Sequence, residues 1–293
     1  MGFESYHPAI ALIWSVGTIA ATVLFKQPVF LVIAYLSAFL YSVKRNGWRA
    51  VAFGVGLIPF ILAFTLYYSS YHHFGVTVLR QNMIGNDMTV ESALCGLTIG
   101  ILVASVVMWL SCVISVFTAD KVVYLFGRVS PRLSLFLSIL LRLVPRLKAR
   151  ARKIATARKA VGKGIGQGNI LQRIANGVKI VSMLVTWLLE SMATTSDSMR
   201  SRGYGLKGRT AFSIYRFDDR DRSVVIGLFA CLTSMLMAYI LGWTQIRFDP
   251  RVVMAPITPV AHVFYFGFAL FCLLPMVLEV WSEQRFRALR SRV

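Results

Sequence analysis

The chain has 293 residues, of which 57% are hydrophobic and only 15% charged, and its mean hydropathy is +0.66. Ordinary soluble domains carry about 25% charged residues, so the composition excludes that class and predicts an all-α, polytopic membrane protein. The net charge of +20 would suit a nucleic-acid binder, but positive cytoplasmic loops beside anionic headgroups, at about 1 kcal/mol of attraction per basic residue, account for it. With no recognition-helix motif or base-stacking platform, the expected partner is the lipid bilayer and not nucleic acid.

Six stretches are apolar enough to span: roughly Ile10 to Phe25, Val29 to Val43, Val51 to Tyr71, Ala93 to Phe117, Val224 to Trp243 and Pro259 to Trp281. The first follows Glu4 and His7 rather than a basic region and precedes no small-residue cleavage site, so it is expected to be retained. The first two are short and separated only by Lys26-Gln27-Pro28, which predicts a tight helical hairpin with Pro28 starting the second helix. Basic residues then set the orientation. Lys44, Arg45 and Arg49 follow the second span, Lys121 and Arg128 open the region after the fourth, and Arg285, Arg287, Arg290 and Arg292 follow the sixth. The opposite loops hold Lys26, then Arg80 with Asp87 and Glu91, then Arg247 and Arg251 with Asp249. Both termini are therefore expected to be cytoplasmic. The predicted division is a four-span bundle over 1–117, a cytoplasmic region over 118–222, and two further spans with a basic tail over 223–293.

The region from Pro131 to Tyr204 reads as two half-apolar, half-basic long helices. Ser130-Pro131 is a good helix start, and Leu133, Phe136, Leu137, Leu140, Leu141 and Val144 recur at helical spacing before Arg146, Lys148, Arg150, Arg152, Lys153, Arg158 and Lys159. A second helix begins near Ile170 and ends at Ser201-Arg202-Gly203. Each apolar portion is about a dozen residues, too short for a bilayer of roughly 30 Å, so both helices are expected at the membrane surface or beneath the spans.

Sites for chemistry are few. The four cysteines are scattered with no C-x-x-C pair and read as small buried hydrophobes. Asp218, Asp219 and Asp221 alternate with Arg216, Arg220 and Arg222 and read as a solvated charge mixture; His7, His72, His73 and His262 read as structural or interfacial. Gly162-Lys163-Gly164-Ile165-Gly166-Gln167-Gly168 matches neither phosphate-binding glycine pattern and follows no strand. It reads as a flexible turn, so no metal, cofactor or catalytic residue is expected.

The informative pair is Ala157-Arg158-Lys159 and Ser201-Arg202-Gly203. Arginine suits docking because its planar fork pairs bidentately with a carboxylate and stays charged. Gly203 suits the position that stops a helix, leaving Arg202 at its tip. On these residues alone, docking competes with simple contact to lipid phosphates.

Arg142-Leu143-Val144-Pro145, the first arginine triplet, and Met199-Arg200-Ser201-Arg202-Gly203-Tyr204-Gly205 followed by Gly208-Arg209-Thr210 resemble the transmembrane T component of energy-coupling factor (ECF) transporters, the EcfT/CbiQ family. Members commonly show Ala-Arg-Gly at both sites, where this chain has Lys159 and Ser201. The resemblance implies a non-enzymatic coupling subunit of a bacterial or archaeal cell membrane. It implies that Ala157, Arg158, Lys159, Ser201, Arg202 and Gly203 dock two ABC-type ATPase subunits and that Pro145 bends the first coupling helix. It also implies that a separate membrane-embedded S component binds a vitamin or transition-metal ion. A membrane enzyme acting on phosphorylated lipids, or a transporter with its own substrate site, are the competing classes; both would call for convergent polar groups that the spans scarcely offer.

Overall fold

The computed structural model describes residues 3–72, 74–81, 87–204, 215 and 217–290. In chain order the helices are α1 (Pro8–Leu24), α2 (Pro28–Asn46), α3 (Trp48–Tyr71), α4 (Val90–Val116) and α5 (Ala119–Val129). They continue as α6 (Pro131–Ala160), α7 (Ile170–Ser201), α8 (Asp219–Ile240) and α9 (Pro259–Arg290). Two small antiparallel ribbons, β1 (Val78–Gln81) with β2 (Asp87–Thr89) and β3 (Ile246–Arg247) with β4 (Val253–Met254), close the loops before α4 and α9. The chain divides into two compact units, one of residues 1–118 and 215–293 and the other of residues 119–214.

Six helices are long and apolar enough to cross a membrane, so this is an all-α, multi-pass membrane protein. They are α2, α3, α4, α7, α8 and α9. The set differs from the sequence expectation at two places. With 17 residues, α1 rises only about 26 Å. The other is α7, expected to be too short in its apolar part; over its 32 residues it passes by length and composition but remains the least apolar of the six.

The first unit is built on α4, against which α1, α2 and α3 all pack, with α8 and α9 closing the other side. Pro8 and Pro28 each occupy the first turn of a helix, where a missing amide hydrogen costs nothing. The hairpin of the first two spans is looser than expected: α1 and α2 meet through Trp14 and Tyr41 but approach closely at few places, and each packs more extensively on α4. A fully buried Trp14 explains this arrangement, since its ring meets Phe3, Tyr41 and Trp109 edge-on at 5.6, 5.8 and 5.6 Å and its indole Nε1–H donates to the Phe271 carbonyl at 3.0 Å. Each such aromatic pair contributes about 0.5–1.5 kcal/mol beyond area. Packing of this kind replaces the hydrophobic drive that lipid removes.

Close approach of α3 and α4 rests on Gly96 and Gly100, a G-x-x-x-G pair. A Cβ on Gly96 would sit 3.2 Å from the Thr65 carbonyl oxygen, and one on Gly100 would sit 3.4 Å from that of Ile61.

Asp218, Asp219, Arg220 and Arg222 are exposed, as expected of a solvated charge mixture, but Asp221 is not. Asp221 is 5% exposed and accepts from the His7 amide at 3.3 Å and the Asp218 amide at 3.2 Å, completing a capping box that starts α8 and ties down the N-terminal segment. His7 in turn caps α1 by accepting from the Ala9 amide at Nδ1, 3.2 Å away, the structural role expected of it. Where α2, α4 and α9 meet, Arg45 donates to the Ser115 hydroxyl at 2.8 Å and carbonyl at 2.9 Å and pairs with Glu279 at 3.5 Å, while Lys44 pairs with Glu283 at 3.3 Å.

In the second unit α5 packs on α6, and the Ser134 hydroxyl donates to the Val123 carbonyl at 3.0 Å. No helix is expected here from the sequence, where Lys121 opens the basic region after the fourth span; in the structure α5 forms and Lys121 is 1% exposed. The turn from α6 into α7 reverses the chain, so the two long helices form an antiparallel hairpin.

Candidate functional site: the arginine-bearing helical hairpin

Ala157, Arg158 and Lys159 lie in the last turn of α6, and Ser201, Arg202 and Gly203 form the end of α7. Both helices stop in the same way. In α6 the Gly162 amide donates to the Lys159 carbonyl at 3.1 Å and the Lys163 amide to the Arg158 carbonyl at 2.9 Å, with Gly162 at φ +73°. In α7 the Gly203 amide donates to the Arg200 carbonyl at 2.9 Å and the Tyr204 amide to the Met199 carbonyl at 3.0 Å, with Gly203 at φ +71°. These are paired Schellman motifs, and the left-handed backbone requires glycine in each.

The two arginines are not equivalent within those motifs. Arg202 is the C-cap residue itself and is exposed, whereas Arg158 sits three residues before the C-cap of α6 and is half-buried. A basic side chain at either place also complements the negative end of its helix dipole. Because the helices run antiparallel, the arginines lie at opposite ends of the hairpin. Arg158 sits beside Asn176, and from there α7 rises about 39 Å to Arg202 at 1.5 Å per residue. The structure thus does not bring the two triplets together.

The glycine-rich connector forms the turn expected between the two helices, and side chains bond across it. Arg158 closes it: Nε donates to the Lys163 carbonyl at 3.3 Å and a terminal nitrogen donates to Asn176 Oδ1 at 3.2 Å. Asn176 Nδ2 reaches the Gly164 carbonyl at 3.3 Å, and Gln167 Oε1 accepts from the Gly164 amide at 2.9 Å. Asn169 and Gln172 then form a capping box that begins α7, and Arg173 Nε donates to the Gly168 carbonyl at 3.0 Å. From the sequence Gln167 reads only as part of the glycine-rich run and Asn176 is not singled out at all, and no spacing rule marks either as a turn-closing residue; the Asn-x-x-Gln box was legible before the apolar run.

Further along the hairpin, the Arg150 guanidinium lies over the Trp187 ring at 5.5 Å, a contact worth about 0.5–1 kcal/mol at an exposed site. Arg146, Lys148, Arg152 and Lys153 are exposed and carry no ion pair among the described residues. Helix α6 continues unbroken through Pro145, which lacks the amide that would bond the Leu141 carbonyl. His73, Gly205, Gly208, Arg209, Thr210, Arg216 and Arg292 lie outside the described residues.

A spanning bundle joined in one chain to a long, basic, arginine-bearing hairpin defines a helical membrane protein with a surface suited to acidic partners. A family model described as CbiQ, cobalt transport protein, matches residues 4–212, and the chain belongs to that family. It is a membrane transport component. The match runs from the N-terminal segment through α7 and ends before α8, so α8 and α9 lie beyond it while packing with the matched helices α1 and α2. No curated protein matches the chain.

Proposed function

We propose that this chain is the transmembrane coupling subunit of an ECF-type ABC importer. Two cytoplasmic ATPase subunits supply the hydrolysis, and a separate membrane-embedded S component binds the substrate, a vitamin or transition-metal ion. The description of the matched family makes cobalt the first candidate. The observation that carries the proposal is the position of Arg158 and Arg202 at opposite ends of one helical hairpin, about 39 Å apart by helix rise from Asn176 to Arg202. Two contacts that far apart suit two separate ATPase subunits, and movement of one against the other would be carried into α6 and α7. Pro145 offers α6 a place to flex during that movement. The basic ends of α2 and α9 favour an orientation with the hairpin and both termini in the cytoplasm, in which α1, whose 17 residues reach the lower limit for spanning, is the sixth span and α7 lies outside the bilayer.

Charge reversal tests the reading. Removing one partner of a buried charged pair costs about 2–5 kcal/mol, so Arg158→Glu and Arg202→Glu are each expected to abolish uptake and weaken ATPase co-purification. Arg146→Glu and Lys153→Glu, which reverse exposed and unpaired charges, are expected to cost far less. Equal, mild effects from all four would reduce the arginines to part of a general positive field.

A further inference from the structure

Between the end of α2 and the start of α3 the first unit holds an open cavity of about 380 Å³ lined by Ser42, Asn46, Arg49, Ala50, Phe53 and Ser111. We propose that this cavity binds the phosphate headgroup of an anionic phospholipid. Its volume is more than ten times the roughly 30 Å³ share of one water, and its polar groups all suit a phosphodiester. Lys44 and Arg45 are engaged by Glu283 and Glu279. The Arg49 guanidinium, exposed and without an ion pair among the described residues, is left to face an anion. The Ser42 side chain lines the cavity but is 1% exposed and lies within hydrogen-bonding reach of the Cys112 thiol, so Arg49 is the polar group best placed to meet an anion. Gly47, at φ +61°, breaks the helix so that α3 starts at Trp48 with no side-chain cap. Its first amides and its positive dipole end therefore add to the attraction for an anion.

The surroundings favour a lipid over a free phosphate. Trp48 is 82% exposed beside the cavity, as expected of an indole at the level of the headgroups. One wall, Phe53, leads along α3 to Leu57 and Phe60 at helical spacing, and Phe53 and Phe60 are both 45% exposed. An acyl chain can follow that surface while its phosphate stays with Arg49. Basic residues gathered at this end, including Arg285 over Trp281, raise the local concentration of anionic lipid.

Native mass spectrometry of the purified full chain, titrated with phosphatidylglycerol or with phosphatidylcholine of the same acyl chains, tests the assignment. The wild type is expected to retain one phosphatidylglycerol at least about tenfold more tightly than phosphatidylcholine, since a charge-assisted contact to Arg49 is lost with the neutral headgroup. Arg49→Gln is expected to weaken retention by about tenfold. Ser111→Leu, which fills the cavity and leaves Arg49 in place, should displace the lipid, while Arg285→Gln should leave it bound. Thermal melting with and without phosphatidylglycerol checks that the variants are folded and reads the same losses. Equal retention by wild type, Arg49→Gln and Ser111→Leu would overturn the proposal, as would equal weakening by Arg49→Gln and Arg285→Gln. Displacement of the lipid by millimolar inorganic phosphate would assign the cavity to a free anion instead.

Discussion

Arg158 has two possible tasks, and the structure makes them separable. Its guanidinium holds the α6–α7 turn through the Lys163 carbonyl at 3.3 Å and Asn176 Oδ1 at 3.2 Å. Both bonds are long and the side chain is half-exposed, so together they contribute about 1–2 kcal/mol, near the lower end for bonds to a charged group. A docking contact with a carboxylate would be worth about 2–5 kcal/mol, and docking therefore dominates if it occurs. Asn176→Ala removes the anchor and the Gly164 contact while leaving the charge at position 158. Binding of the ATPase subunits to the purified chain, measured by surface-immobilised titration, should fall by roughly 30-fold or more in Arg158→Ala and stay within about threefold in Asn176→Ala, because only turn stability is lost there. An equal fall in both variants would refute docking and make Arg158 a turn-closing residue only.

Three other outcomes follow from the geometry. A Cβ at Gly164 would lie 3.2 Å from Gln167 Oε1 and 3.3 Å from Lys159 Cα, whereas one at Gly166 meets nothing within 4 Å; Gly164→Ala should speed amide exchange across 160–170, and Gly166→Ala should not. Gly100→Leu should force α3 and α4 apart and lower thermal stability by about 1–3 kcal/mol, the usual cost of overpacking. Arg45→Met strands Glu279, whose side chain is 8% exposed, at a cost of about 3 kcal/mol, and adding Glu279→Gln should restore most of the lost melting temperature.

Much of the fold was legible because its signals are local. Pro8, Pro28 and Pro131 mark helix starts, and Gly203 was recognisable as the residue that stops α7 from its place after the last helical residues. What the sequence concealed depends on partners distant along the chain. That α1 and α2 pack more on α4 than on each other follows from Trp14 meeting Trp109 and Phe271, neither of which is near it in sequence. Asp221 looked solvated among arginines because its burial comes from His7, 214 positions away. Helix α5 has only 11 residues; its apolar residues keep a clear helical periodicity, so it was legible and is missed only for its shortness between two longer apolar runs. At the hairpin the arginines stood out by type and spacing, but the side chain of Asn176 that holds Arg158 carries no motif.

The central claim is that the ends of α6 and α7 touch ATPase subunits, and a photo-crosslinking residue placed at Arg202 tests it most directly. In membranes containing the assembled, transporting complex, the account predicts a crosslink to an ATPase subunit that changes in yield when ATP is added. A crosslink at this position to lipid alone, with uptake intact, would contradict it.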